Sequence, residues 1–543
     1  MEDEKRLYII GAGFAGQTIA DDIKRKKVFG TVKAFLDDDK NLIGKQIENV
    51  PVLGPIQEVA SIMRFKKQDE AIIAIPSAPV EKIREIYEIL KEAGAPKIKI
   101  LPGISQVVNG SAHLVQTREI DPLDILGRTP VTISLKESLS YLRGKRVLIT
   151  GAGGSIGSEL ARQLLSGGAE RLYLFGHGEN SIYQIDRELR LLQSEGVGEK
   201  AVIVPIIGDM ADRAYTDYII ENTKCDVIFH CAAYKHVPLM EENPVAAIAN
   251  NVFGTKNLLD AAMTHNVQRF VLISTDKAVN PVSVYGISKM LCEKLVLETA
   301  RKAEEKAEEA SLCTTEKAAG AGDCGPNFAE KTAGKSQGSE KKADDACNHL
   351  QEGKKSRQDF IFVRFGNVLG SRGSILPLFM EQIKNGGPVT VTSRNMERFF
   401  MTIPEACSLV LQAGGVGSNA QGYLLDMGEP IKILDLAEQI IKFSGLEPYK
   451  DIDIKIVGMR KGERENEPLW LKEENPEKTE FSKILKLKNI PFKREKLESL
   501  LEELKKICFL QEEEKDRSLY RNKEELLKIL KSYFPGLITE KGN

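Results

Sequence analysis

The run Ser274-Thr275-Asp276-Lys277 followed by Tyr285 and Lys289 concentrates groups that can move protons within one short stretch of chain. It starts where the predicted strand 269–274 ends and finishes in a helical pattern. Tyr285 and Lys289 are four apart, so a helix puts both on one face. A neighbouring ammonium lowers the pKa of a phenol. A tyrosinate can then take a hydroxyl proton while a hydride leaves for a nicotinamide. Thr275 can hydrogen-bond the same hydroxyl.

Asp276 and Lys277 suggest a second step after such an oxidation. A new ketone at carbon 4 of a sugar makes the carbon 5 proton acidic, because the carbanion is held as an enolate. Losing water across carbons 5 and 6 needs a base for that proton and an acid for the departing hydroxyl. Lys277 is the candidate base and Asp276 the candidate acid, with the hydride returning to carbon 6. The competing reading is an ordinary surface ion pair, which does no chemistry.

These residues need a cofactor loop, and the chain offers two strand–glycine–helix openings. The second, after the predicted strand 146–150, reads Gly151-Ala152-Gly153-Gly154-Ser155-Ile156-Gly157. Its T-G-x-x-G-x-x-G spacing lets the backbone turn tightly and leaves N–H groups of the next helix, from Ser155 and Ile156 onward, to receive a pyrophosphate. The next strand ends in Phe175-Gly176-His177-Gly178-Glu179, with glycine where an acid often binds the ribose of NAD. NADP is therefore permitted, and nearby Glu179 leaves NAD open. Asp209 could contact the adenine or close a turn. Met210, together with Ala232 and Ala233 after the predicted strand 226–231, completes the candidate cofactor set.

The first opening, Gly11-Ala12-Gly13-Phe14-Ala15-Gly16, has no catalytic set beside it. It could bind a nucleotide with Asp37 as ribose partner. The favoured reading is a structural module whose glycines serve helix–strand packing.

Around both loops, short apolar runs alternate with amphipathic stretches, which predicts an α/β fold of two tandem Rossmann-like parallel sheets. Strands are expected at 32–36, 71–75 and 97–101 in the first unit, and at 171–175, 201–207 and 360–365 in the second. The expected division is an N-terminal Rossmann-like domain at 1–120, a connector at 121–141, a catalytic domain at 142–490 with a smaller C-terminal part for substrate, and a helical tail at 491–543. Residues 302–357 are rich in Ala, Gly, Lys, Glu, Asp and Ser and poor in large apolar residues, so they are read as a mobile insert.

Composition limits the alternatives. With 543 residues, 42% hydrophobic and 28% charged, the chain has the make-up of a multi-domain globular protein. Its net charge of −2 offers no global field for nucleic acid. Eight cysteines form no C-x-x-C pair, which argues against a metal site or disulfide framework and for reduced cytoplasmic thiols. Neither a signal peptide nor a membrane-spanning run is expected.

Five segments carry a family resemblance: TGAGGSIGSEL at 150–160, HCAAYKHVPLMEENP at 230–244, STDKAVNP at 274–281, RFGNVLGSRGSILP at 364–377 and RFFMTIPEA at 398–406. With these, the chain resembles the polysaccharide-biosynthesis family of nucleotide-sugar 4,6-dehydratases, within the extended short-chain dehydrogenase/reductases. The resemblance implies a UDP-sugar substrate such as UDP-N-acetylglucosamine, NAD or NADP held and recycled within the cycle, and a dimer or higher oligomer. It implies that Lys235 and His236 lie near the sugar and that Asn367 contacts the diphosphate or sugar. Arg398 and Arg460 would counter the diphosphate, and Glu463 would hydrogen-bond the uridine ribose. Many long members have methionine at the place of Tyr285, and many carry membrane helices ahead of the first Rossmann-like unit. This chain is expected to keep that unit without the helices.

Two other functions fit parts of the pattern. A nucleotide-sugar 4-epimerase would share the cofactor and tyrosine but has no need of Asp276 and Lys277. A catalytically silent NAD(P)-binding protein would have no reason to hold Thr275, Tyr285 and Lys289 together.

Overall fold

In the computed structural model, residues 5–26, 30–101, 118–119, 139–319, 357–488, 490, 493–510 and 517–537 are described. The α/β expectation is met by two large sheets built mainly of parallel strands. The first is seven-stranded, and its central strand Arg6–Ile10 runs parallel to Thr31–Leu36 on one side and to Glu70–Ile73 on the other. Buried clusters on both faces, including Leu7 with Ile19 and Tyr8 with Ile86, show why these strands read as continuous apolar runs. At its glycine loop, the Asp37 carboxylate accepts the N–H groups of Ala12 at 2.6 Å and Asp39 at 2.9 Å. A side chain at Gly16 would run into the carbonyl of Gly11, so this glycine serves the close approach of helix Phe14–Lys26 to the loop.

The second sheet has nine strands in the order Val202–Ile207, Arg171–Gly176, Arg146–Thr150, Val227–His230, Arg269–Ile273, Asp359–Arg364, Gln421–Leu425, Ile484–Leu487, Glu477–Lys478. The first seven are parallel and the last two antiparallel. Strand order reverses beside Arg146–Thr150, where the chain crosses to Val227–His230. A crevice is expected outside the carboxyl ends of strands at such a point. A smaller lobe packs its own core from Leu376, Phe379, Val389, Val391, Phe400, Ile433, Leu436 and Ile440. It faces the carboxyl edge of the large sheet.

Two stretches differ from their sequence reading or fall outside it. The helix that begins at Val284 continues to Ala319, so the segment read as a mobile insert from 302 opens as helix. Alanines with high helix propensity and the pairs Arg301–Glu305 and Lys302–Glu298 support that extension, and Ala303 is buried. Residues 320–356 of the insert, and 121–138 of the connector, lie outside the described residues. In the tail, helix Arg494–Cys508 buries Leu497, Leu500, Leu501 and Leu504 against the large domain's core, and helix Lys523–Tyr533 buries Leu526 and Leu530 there. No helix among the described residues is long and apolar enough to cross a membrane.

Candidate active site

Helix Ser155–Gly167 starts at Gly154, whose missing side chain provides no cap, so the helix's first N–H groups are left for another acceptor. The glycines are sterically required. A Cβ on Gly151, which has φ +63°, would stand 2.8 Å from the backbone nitrogen of Ala232, and one on Gly157 would strike the carbonyl of Gly151. Below the loop, Thr150 Oγ1 meets His230 Nδ1 at 2.7 Å and His230 Nε2 meets Thr255 Oγ1 at 2.8 Å. Full burial pushes the pKa of this imidazole well down, so it serves as a neutral strut across adjacent strands.

Two adjoining cavities open from this edge. The smaller, of about 260 Å³, is lined by Gly151, Gly154, His177, Asp209, Met210, Ala232 and Ala233. Asp209 lines it, and its Oδ1 accepts the N–H of Ala211 at 2.9 Å as a turn residue does. The larger, of about 800 Å³, brings together Ser155, Ile156, Gly157, Thr275, Lys277, Tyr285 and Lys289 with Lys235, His236, Asn367, Arg398, Arg460 and Glu463. Residues separated by over three hundred positions thus share one space.

Asp276 is fully buried and, unlike its neighbours Thr275 and Lys277, does not line this cavity. Its Oδ1 accepts from Thr275 Oγ1 at 2.8 Å and from Lys277 Nζ at 3.0 Å, while Oδ2 has no partner. Lys277 Nζ also donates to Asn367 Oδ1 at 3.1 Å. This fixes the Lys277 amine at the cavity wall, against a carboxylate buried directly behind it.

The electrostatics of Tyr285 correct one expectation. Its phenol pKa is raised, first by burial and then by the charge of Asp276, with a hydrogen bond from Thr275 opposing them. Lys289 is not among the groups acting on it. The Lys289 ammonium is itself disfavoured by burial, with Cys292, Glu293 and Cys231 partly offsetting this. Four-residue spacing puts both side chains on one face, but burial is the largest influence on each of them.

Arg398 is also differently engaged. Its guanidinium donates to the carbonyls of Glu397 at 2.7 Å, Glu465 at 2.5 Å and Arg464 at 2.7 Å, with Glu467 nearby at 3.8 Å. Its donors fold the loop that carries Arg460 and Glu463 instead of pointing as a free fork into the cavity. Arg460 is exposed, and its backbone N–H donates to Glu463 Oε2 at 3.0 Å. The Lys235 ammonium and the His236 imidazolium are both disfavoured by burial, with added repulsion from Arg372 on Lys235 and from Lys235 on His236.

Sequence reasoning missed the support beneath the site. Arg364, fully buried, donates to Glu293 at 3.0 and 2.7 Å and to Glu474 at 2.8 and 3.1 Å. Ser274 Oγ donates to the same Glu293 at 2.6 Å. Glu293 lies one turn beyond Lys289, so this network ties the Ser274–Thr275 strand end to the helix carrying Tyr285. Arg364→Met leaves two buried carboxylates without their cation. We expect it to cost at least about 3–5 kcal/mol, read as a large fall in the urea midpoint. An unchanged midpoint would contradict this account of the network.

Known proteins share this architecture and much of this sequence. The family model described as "Polysaccharide biosynthesis protein" matches residues 147–316 and 333–489, and one described as "CoA binding domain" matches 2–101. The chain is 38% identical over 480 residues to the probable polysaccharide biosynthesis protein EpsC of Bacillus subtilis, covering 88% of this chain and 70% of that one. It is 36% identical over 504 residues to the capsular polysaccharide biosynthesis protein CapD of Staphylococcus aureus, covering 92% and 74%. Among solved structures, Pen from Bacillus thuringiensis matches at 27% identity with a TM-score of 0.50, over 65% of this chain and 92% of that one.

Proposed function

Since the chain belongs to the polysaccharide biosynthesis protein family, we propose that it is a nucleotide-sugar 4,6-dehydratase acting on a UDP-hexose such as UDP-N-acetylglucosamine. The observation that carries this reading is Lys277, which lines the larger cavity with Thr275 and Tyr285 while its Nζ is held 3.0 Å from the buried Asp276 carboxylate.

The adenosine end of NAD or NADP would lie in the smaller cavity, with the nicotinamide reaching Tyr285 in the larger one. The glycine cradle admits no side chain, the helix N-terminus is uncapped, and His177, Asp209 and Met210 line the far end. When bound, the cofactor supplies the acceptor for the hydrogen of carbon 4 and its return to carbon 6. The chain's own residues handle the protons. Tyr285 takes the proton of the carbon 4 hydroxyl, with Thr275 bonding the same oxygen. Lys277 removes the carbon 5 proton. Asp276 is assigned the proton given to the departing carbon 6 hydroxyl, which leaves as water. Asn367 holds the Lys277 amine in place, and Arg460 remains available to the diphosphate.

A 4-epimerase could use the same cofactor and tyrosine, but the Asp276–Lys277–Asn367 arrangement has no task in it. Mass spectrometry separates the two directly. Incubation of the purified protein with UDP-N-acetylglucosamine and NAD or NADP should yield a nucleotide sugar lighter by one water. An isomer of unchanged mass would move the assignment to epimerase.

A further inference from the structure

The strap between strand Asn367–Leu369 and helix Ile375–Lys384 crosses from one cavity to the other. Gly370, Ser371, Gly373 and Ser374 line the larger cavity, whereas Arg372 lines the smaller one beside Gly153, His177 and Asp209. Gly370 has φ +72° and Gly373 φ +68°, the left-handed conformation that lets the strap turn on both sides of Arg372. Its position is pinned at two points. The Arg372 backbone N–H donates to Ser155 Oγ at 3.2 Å, and its guanidinium donates through Nη2 to the carbonyl of Gly153. A side chain at Gly373 would strike the imidazole of His236, so the strap is also seated against the substrate side.

A dinucleotide brings a diphosphate with two negative charges to this loop. The glycine loop meets it with neutral N–H groups alone. Among the described residues lining the smaller cavity, Arg372 is the only permanent cation. Only one of its guanidinium donors is spent, and that on a carbonyl of the very loop over which a diphosphate would lie. A phosphate oxygen pair is a better acceptor for a planar fork than one neutral carbonyl.

We propose that Arg372 is a cofactor-binding residue that clamps the dinucleotide's diphosphate, swinging from the Gly153 carbonyl onto the phosphate oxygens. This rests on the NAD(P) reading above. The 2′-phosphate of NADP is the other phosphate within this chemistry, and the test separates the two.

Titration calorimetry on the full chain, stripped of nucleotide, would compare wild type, Arg372→Ala and Arg372→Lys with NAD, NADP and adenosine. Arg372→Ala should weaken NAD and NADP alike by about 10–100-fold, leave adenosine unchanged and make the affinity for NAD less dependent on salt. Arg372→Lys should recover part of the loss. Without nucleotide the melting temperature should hold, since the side chain is exposed. Wild-type affinities retained in Arg372→Ala would overturn the clamp, and a loss confined to NADP would overturn it in favour of a 2′-phosphate contact. A wild-type protein binding neither dinucleotide would overturn the cofactor reading itself, and the clamp with it.

Discussion

Lys277→Met is expected to lower formation of the 4-keto-6-deoxy sugar by about 10²–10⁴-fold, the range typical for loss of a general base, while UDP binding persists. Methionine matches the length of the lysine stem and removes only the amine. That amine sits 3.0 Å from Asp276 Oδ1 and 3.1 Å from Asn367 Oδ1, at the open side of a buried carboxylate. In deuterium oxide, wild-type product should carry solvent deuterium at carbon 5, because the proton removed there exchanges before reprotonation. The variant should show neither product nor label. Because Asp276 then keeps only Thr275 as partner, melting temperature and UDP binding of Lys277→Met, compared with Lys277→Met combined with Asp276→Asn, show whether an unpaired buried charge disturbs the fold. Turnover in Lys277→Met equal to wild type would remove Lys277 from the mechanism.

Tyr285→Phe should suppress an earlier event by a similar factor of about 10²–10⁴. The phenol oxygen is the group proposed to take the carbon 4 hydroxyl proton, and phenylalanine keeps the ring's packing in the core while deleting it. The two variants are distinguishable. Lys277→Met should still oxidise carbon 4, so adding substrate should bring up the near-ultraviolet absorbance of a reduced nicotinamide. Tyr285→Phe should not. Burial and the Asp276 charge hold the phenol protonated through neutral pH, and only its deprotonated form is a base. The wild-type oxidation step should therefore quicken as pH rises toward that raised pKa, a dependence Tyr285→Phe should lack. Equal absorbance changes in both variants would contradict the assignment of tyrosine to the first step.

What the sequence made legible is local. The strand–glycine–helix opening at 146–157 and the four-residue spacing of Tyr285 and Lys289 depend on neighbours in the chain, and the structure places them at a sheet edge as such patterns require. Strands such as Arg146–Thr150 and Asp359–Arg364 could be read because a parallel sheet buried on both faces leaves uninterrupted apolar runs. The misses are non-local or energetic. Arg364 finds Glu293 and Glu474 across 71 and 110 residues, which no periodicity reveals. Arg398 has the right residue type to hold a diphosphate, but its Nη1 and Nη2 already donate to main-chain carbonyls. Lys289 stands on the same helix face as Tyr285, yet burial dominates the phenol, and burial cannot be read from spacing. Arg372 was visible as a letter within RFGNVLGSRGSILP. Its contact with Gly153 depends on how a glycine-flanked strap crosses the cofactor loop 219 residues earlier.

The measurement that bears most directly on the central claim is proton NMR of the nucleotide sugar after incubating the purified chain with UDP-N-acetylglucosamine and NAD or NADP. The account predicts a new methyl signal at carbon 6, loss of the carbon 4 proton and a ketone at that position. The coupling at carbon 5 would then report the face of reprotonation. A product retaining its carbon 6 hydroxymethyl group with carbon 4 inverted would contradict the dehydratase reading and leave Asp276 and Lys277 without the roles assigned to them.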